Sequence, residues 1–146
     1  MLRKLHRLAE LSAIEWLILF QLLPVALAWR VALQLTTLRR LTNFIARCAG
    51  NPWFKRLPMF HRRYDPARLY MLANLAAKVT FGSGLCLGRS LLMLWMLKAR
   101  DQPAELLIGV NKGNDIFHAH AWIETQGRVI GDRPEITDQF AVLLRI

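Results

Sequence analysis

The amino-acid sequence predicts an α+β domain, with helices first and a small antiparallel sheet afterwards. Three observations carry this. Apolar residues recur at helical spacing as far as Ala99, Asp101-Gln-Pro103 then stops the helical pattern, and from Leu106 onward short branched and aromatic runs alternate with turn residues. At 146 residues and 16.8 kDa the chain holds one hydrophobic core with a short appendage. We divide it into an apolar, basic helical segment, residues 1–50, which packs on the domain or on a partner, and a domain over residues 51–146.

The first segment reads as two helices, about 2–23 and 25–48, broken or kinked at Pro24. The run from Trp16 to Trp29 is the most apolar in the chain, but Glu15 and Arg30 close it at 14 residues, and a bilayer needs about 20. Met1-Leu-Arg-Lys-Leu-His-Arg7 and the later Ala26-Leu-Ala28 imitate an export signal. Glu10 and Glu15, in a lead-in long for such a signal, argue against it. The prolines of Asn51 to Pro58 mark an irregular connector. Asp65-Pro66 pairs an N-cap acceptor with a proline at the first helical position, so a helix should run from there to about Val79. Thr80-Phe-Gly-Ser-Gly84 turns the chain. Leu85 to Ala99, dense in Leu, Met and Trp, is then a largely buried helix that Ser83 is placed to cap.

The hydrophobic fraction is 54%, charged residues are 21% and the mean hydropathy is +0.24, which excludes a disordered or fibrous chain. Net charge is +10, and its placement is uneven: residues 1–63 hold eleven Lys and Arg against Glu10 and Glu15, whereas the remainder is nearly balanced. The first half therefore suits an acidic or apolar partner, and the second half should hold any chemistry. Two cysteines, Cys48 and Cys86, are too few for a disulfide scaffold and form no C-x-x-C pair, which fits a reducing cytoplasm. Nucleic acid is not an expected partner, because the basic residues are interleaved with Leu, Trp and Phe and show no groove-reading motif.

Four strands are expected: Leu106 to Val110, Ile116 to Glu124, Arg128 to Asp132, and Phe140 to Ile146. On the second, His118 and His120 share a face with Trp122 and Glu124, turned to a cleft or solvent, while Phe117, Ala119, Ala121 and Ile123 look into the core. The turn decides whether a carboxylate meets the histidines. A two-residue Gln126-Gly127 turn would set Asp132 against Ala121. A three-residue loop of Thr125, Gln126 and Gly127 instead pairs Glu124 with Arg128, Ile123 with Val129 and His120 with Asp132, and this register is the expected one.

Cys86 lies just inside the start of a helix, where unpaired amides and the helix dipole favour a thiolate and offer an oxyanion cradle. A cysteine among Leu85, Leu87 and Leu91 is equally at home as a small core residue, and Cys48 is read in that way. With His120 and Asp132, Cys86 supplies nucleophile, base and orienting acid for acyl transfer or amide hydrolysis. A zinc site built from His118, His120, Asp132 and Cys86 is a competing reading, weakened because no second ligand cluster accompanies it.

The order Cys, His-Ala-Trp, Asp, with Cys86-Leu-x-Arg-Ser90 heading a Leu-rich helix and Gly-Val before the strand, resembles the leader peptidase of lasso peptide biosynthesis. That family has a transglutaminase-like, papain-like fold. The resemblance covers about residues 60–146 and extends less specifically over the basic, Leu-rich N-terminus. It implies Cys86 as nucleophile, His120 as base and Asp132 as the residue that orients it, with no metal or organic cofactor. His118 is outside the core motif, and Arg89 and Ser90 match it without an assigned role.

The resemblance also implies three partners: a precursor peptide whose leader is cut, a separate leader-recognition protein, and an ATP-using, asparagine-synthetase-like macrolactam synthetase. The part before residue 60 reads as helical, with no strands to which a leader could add, so leader recognition is expected from the separate protein. The N-terminal helices are then free to dock a partner. Transamidation at the same site, a non-catalytic basic binding module, and peripheral membrane contact through residues 1–48 are the alternatives.

Overall fold

The computed structural model describes residues 11–55, 65–111 and 118–146. The expected helix start at residue 2, the end of the connector and the approach through Phe117 lie outside the described residues. Helix α1 (Ala13–Leu35) opens with a capping box: the Ser12 hydroxyl accepts from the Glu15 amide at 3.3 Å, and the Glu15 carboxylate accepts from the Ser12 amide at 2.8 Å. The helix does not break at Pro24 as expected. Pro24 and Phe20, whose carbonyl loses its amide partner, both lie on the exposed side, while Leu22 and Ala26 are buried opposite, so packing outweighs the missing bond. The break comes instead at Thr36-Thr37. The Thr37 hydroxyl caps α2 (Leu38–Ala49), and the short α3 (Pro52–Lys55) follows.

Helix α4 (Pro66–Thr80) begins at the expected proline, although the Asp65 side chain makes no capping bond. It lies parallel to α1, held at both ends: Arg68 forks onto Glu15, with one bond at 3.2 Å, and Arg30 donates to the Thr80 carbonyl. The Arg68 guanidinium, opposed by burial, holds the Glu15 carboxyl at about 2, below its ordinary 4.5. A carboxyl lowered on folding contributes stability above its unfolded value and loses it as it protonates. Acid titration followed by circular dichroism should therefore show stability falling from about pH 4.5 toward about 2, and Glu15→Gln should flatten that slope.

After a 3₁₀ turn at Gly82–Gly84, helix α5 (Leu85–Ala99) spans the expected residues, with Gly84 rather than Ser83 at the cap position. Leu91 to Leu97 are all buried, because α5 lies between the N-terminal helices and the sheet. Trp95 meets Trp29 of α1 edge-on at 5.2 Å. Gly88 admits the Phe81 ring, which would lie 2.4 Å from any Cβ there.

The sheet is antiparallel in the order β3-β2-β1-β4, from β1 (Glu105–Asn111), β2 (Ala119–Thr125), β3 (Arg128–Ile130) and β4 (Phe140–Arg145), with α6 (Ile136–Gln139) before the last strand. Ala121 and Ile123 enter the helical core as expected, while Ala119 is exposed. The opposite face is not open as expected. Trp122 and Leu107 are buried beneath Ile136, Val129 and Phe140 in a second, smaller cluster. Gly109 makes room there: a Cβ would stand 2.9 Å from the Trp122 ring and 2.8 Å from the Ala141 carbonyl.

Candidate active site

The hairpin between β2 and β3 uses the two-residue turn, not the expected three-residue loop. Gln126 (φ 50°) and Gly127 (φ 74°) are both left-handed, as a tight primed turn requires, so Thr125 pairs with Arg128, Glu124 with Val129 and Ile123 with Ile130. The expected pairs Glu124–Arg128, Ile123–Val129 and His120–Asp132 are therefore absent from the ladder. Glu124 instead accepts from the Trp122 indole at 3.1 Å and lies 3.4 Å from Arg145.

His120 and Asp132 meet by another route. The ladder ends at Ile130, and Gly131 (φ 73°) bends the chain out of the strand so that Asp132 returns toward β2. Its Oδ2 accepts from His120 Nε2 at 2.9 Å and from Arg89 Nη2 at 2.9 Å. The Tyr70 ring of α4 fills the space beside the bend, 2.0 Å from where a Gly131 Cβ would be, and the Arg89 guanidinium lies 4.5 Å above that ring. Burial pushes the Tyr70 hydroxyl up to about 12, so it stays neutral beside Asp132.

Because β3 is short, the first half of β2 has no neighbouring strand on that side, and α5 takes the strand's place. The Ala121 carbonyl accepts from the buried Ser90 hydroxyl at 3.0 Å, and the Ala121 amide donates to the Cys86 sulfur. Cys86, Arg89 and Ser90 fall three and four residues apart on one face of α5, so a single helix face satisfies the strand edge, presents the thiol and grips Asp132.

The His120 ring bonds the Cys86 thiol. With Nε2 committed to Asp132, Nδ1 is the nitrogen left for sulfur, so the relay runs Cys86, His120, Asp132, Arg89. The ring is further confined by Trp122, stacked at 6.2 Å, and by Phe140 at 5.4 Å. The bond to His120 lowers the Cys86 thiol below its ordinary 9.0, against the effect of burial and with help from the Ala121 and Leu87 amides. The thiol partner raises His120 above 6.5, again against burial and with Asp132 adding to the effect. Both shifts favour a thiolate facing an imidazolium.

Of the residues singled out from sequence, Cys86, His120 and Asp132 are brought together. His118 is exposed just before β2, and among the described contacts of Cys86 and Asp132 it takes no part. Cys48 is half-buried under α1, its thiol pushed up by burial alone. Sequence reasoning left Arg89 and Ser90 without a role and missed Tyr70 and Gly131. The signal available for the first two was their helical spacing from Cys86.

The chain belongs to the transglutaminase-like superfamily, whose family model matches residues 2–145, and this is the fold family that the Cys, His-Ala-Trp, Asp order implied. The chain is also similar to the microcin J25-processing protein McjB of Escherichia coli, with 36% identity over 61 residues. That stretch is 42% of this chain and 28% of the McjB length, so the alignment spans less than a third of the relative. No solved structure gives a significant match.

Proposed function

We propose that the chain is a cysteine peptidase that removes the leader from a ribosomally made lasso peptide precursor. One observation carries the reading: a thiol at a helix start is bonded to a histidine whose other nitrogen is bonded to a carboxylate, an arrangement suited to nucleophilic acyl chemistry. Similarity to a protein that processes microcin J25 supports the substrate class.

In this mechanism His120 takes the Cys86 proton, the thiolate attacks the last leader carbonyl, and first-turn amides of α5 stabilise the oxyanion. The C–N bond breaks as His120 protonates the departing core-peptide amine. Water then releases the leader acid from the thioester. The reaction takes place in the cytoplasm with a separate leader-recognition protein, and the freed amine is what an ATP-using macrolactam synthetase next acylates. The scheme uses no metal or organic cofactor.

The test is an acid-quenched digest of the full chain after brief incubation with precursor and leader-recognition protein. A leader acyl adduct on the Cys86 peptide is expected. Cleaved product with an adduct elsewhere would overturn the assignment.

Three further outcomes follow from the geometry. Iodoacetamide should alkylate Cys86 faster than Cys48 at neutral pH, because one thiol is lowered by His120 and the other raised by burial. Cleavage should rise with pH as Cys86 deprotonates, below the usual thiol range, and decline as His120 loses its proton above 6.5. Arg89→Gln leaves the thiol in place but releases one of the two grips on Asp132. As a positioning residue, it should cost roughly tenfold to a hundredfold in kcat with little change in KM, and should narrow the plateau of the pH profile.

A further inference from the structure

The outward side of α1 has no role in the site. Leu17, Phe20, Leu27, Val31 and Leu35 form a stripe along it at spacings of three to seven residues, and Phe20 is 66% and Leu35 82% exposed. No charged residue interrupts this side between Glu15, which is buried and paired with Arg68, and Arg30. By length and composition the helix is long enough to cross a membrane. Its inward side, however, belongs to the core through Ile18, Leu22 and Ala26, and Arg68 and Thr80 hold its two ends. A helix so fixed lies along a surface instead of crossing one.

The surroundings say what kind of surface. Among described residues 11–55 Glu15 is the sole acid, whereas α2 carries Arg39, Arg40 and Arg47. Arg40, Phe44 and Arg47 fall in one row of α2, and exposed Phe44 borders an apolar recess shared with Val25, Ala28, Trp29 and Trp95 of the neighbouring helices. Exposed apolar and aromatic side chains flanked by arginines, with no exposed acid among them, match the layers of an anionic bilayer: acyl chains beneath, phosphates at the edge. We infer that α1 and α2 seat this protein on an anionic lipid surface, with α1 lying in the plane of the interface. This goes beyond the peptidase reading and does not depend on it.

The test is sedimentation of the full chain with vesicles of equal parts phosphatidylcholine and phosphatidylglycerol, beside vesicles of phosphatidylcholine alone. The wild type and Cys86→Ala should bind the anionic vesicles alike and the neutral ones far less. Leu17→Gln/Phe20→Gln/Leu27→Gln, with an unchanged circular dichroism spectrum, should bind about 100-fold more weakly. Phe20→Gln alone serves if the triple variant does not fold, with a loss of roughly tenfold. Arg39→Gln/Arg40→Gln/Arg47→Gln should lose about fivefold per arginine, and salt should mimic it.

Absence of binding overturns the inference, as does binding that ignores the apolar substitutions, which would be charge adsorption alone. So does a dimer in gel filtration that the Phe20 substitution dissociates, since a second copy would then cover the face.

Discussion

His120→Ala should lower leader cleavage roughly 10⁴-fold, and Cys86→Ala should do at least as much. The two groups act as one device. His120 sets the charge state of Cys86, and Cys86 is the largest influence on His120, so removing either leaves the other without its function. The double variant should therefore be no slower than the worse single one. If the losses added in free energy, the two side chains would be acting in separate steps, and the relay would be misread. Rate measurements on the three variants, with circular dichroism to confirm folding, decide this. His118→Ala is the matched control: it lies two residues away on the same chain, is exposed, and should leave the rate within about twofold.

The second large effect is at a glycine remote from the thiol. Gly131→Ala should cost about 2–5 kcal/mol of stability, from a left-handed backbone that an L-residue resists and from a methyl placed inside the Tyr70 ring, 2.0 Å from its nearest atom. Whatever fraction folds should cleave slowly, because the bend that delivers Asp132 to His120 and Arg89 is the feature being forced. Gly127→Ala isolates the backbone part. Its φ of 74° nearly equals the 73° of Gly131, yet nothing lies within 4 Å of its would-be Cβ, so about 1–2 kcal/mol is expected. The difference between the two alanine variants measures the collision with Tyr70. Combining Gly131→Ala with Tyr70→Ala should recover part of it, and denaturant melts of the wild type, Gly131→Ala, Tyr70→Ala and the double variant close the cycle.

The same glycine marks where the sequence stopped being legible. Helix α5 and the Pro66 helix start are readable because local rules decide them, a proline at the first helical position and a dense apolar run, although neither expected side-chain cap forms. The α+β order and all four strands were readable from a change of period. Residue type and motif single out Cys86, His120 and Asp132, but the strand register expected to join the last two is not the one the hairpin adopts. A strand that runs on to Asp132 needs a three-residue loop to set that residue opposite His120. In fact the strand ends at Ile130, and a bend of one residue achieves what the register does not. That bend is held by Tyr70, some sixty positions earlier, and no periodicity reports such a contact.

The break at Thr36-Thr37 was missed for a related reason. Pro24 is the stronger local signal, and only the tertiary burial of Leu22 and Ala26 overrides it. Arg89 was within reach, since Cys86, Arg89 and Ser90 share a helix face once α5 is drawn. Its ion pair with Asp132 required knowing where β3 ends.

The most direct test of the central claim is mass spectrometry of a lasso-type precursor incubated with the wild-type chain and a leader-recognition protein, beside the same mixture with Cys86→Ala. The account predicts one defined cut between leader and core in the first and intact precursor in the second. An intact precursor in both, with the chain folded and its partner bound, or a cut that persists without the Cys86 thiol, would contradict it.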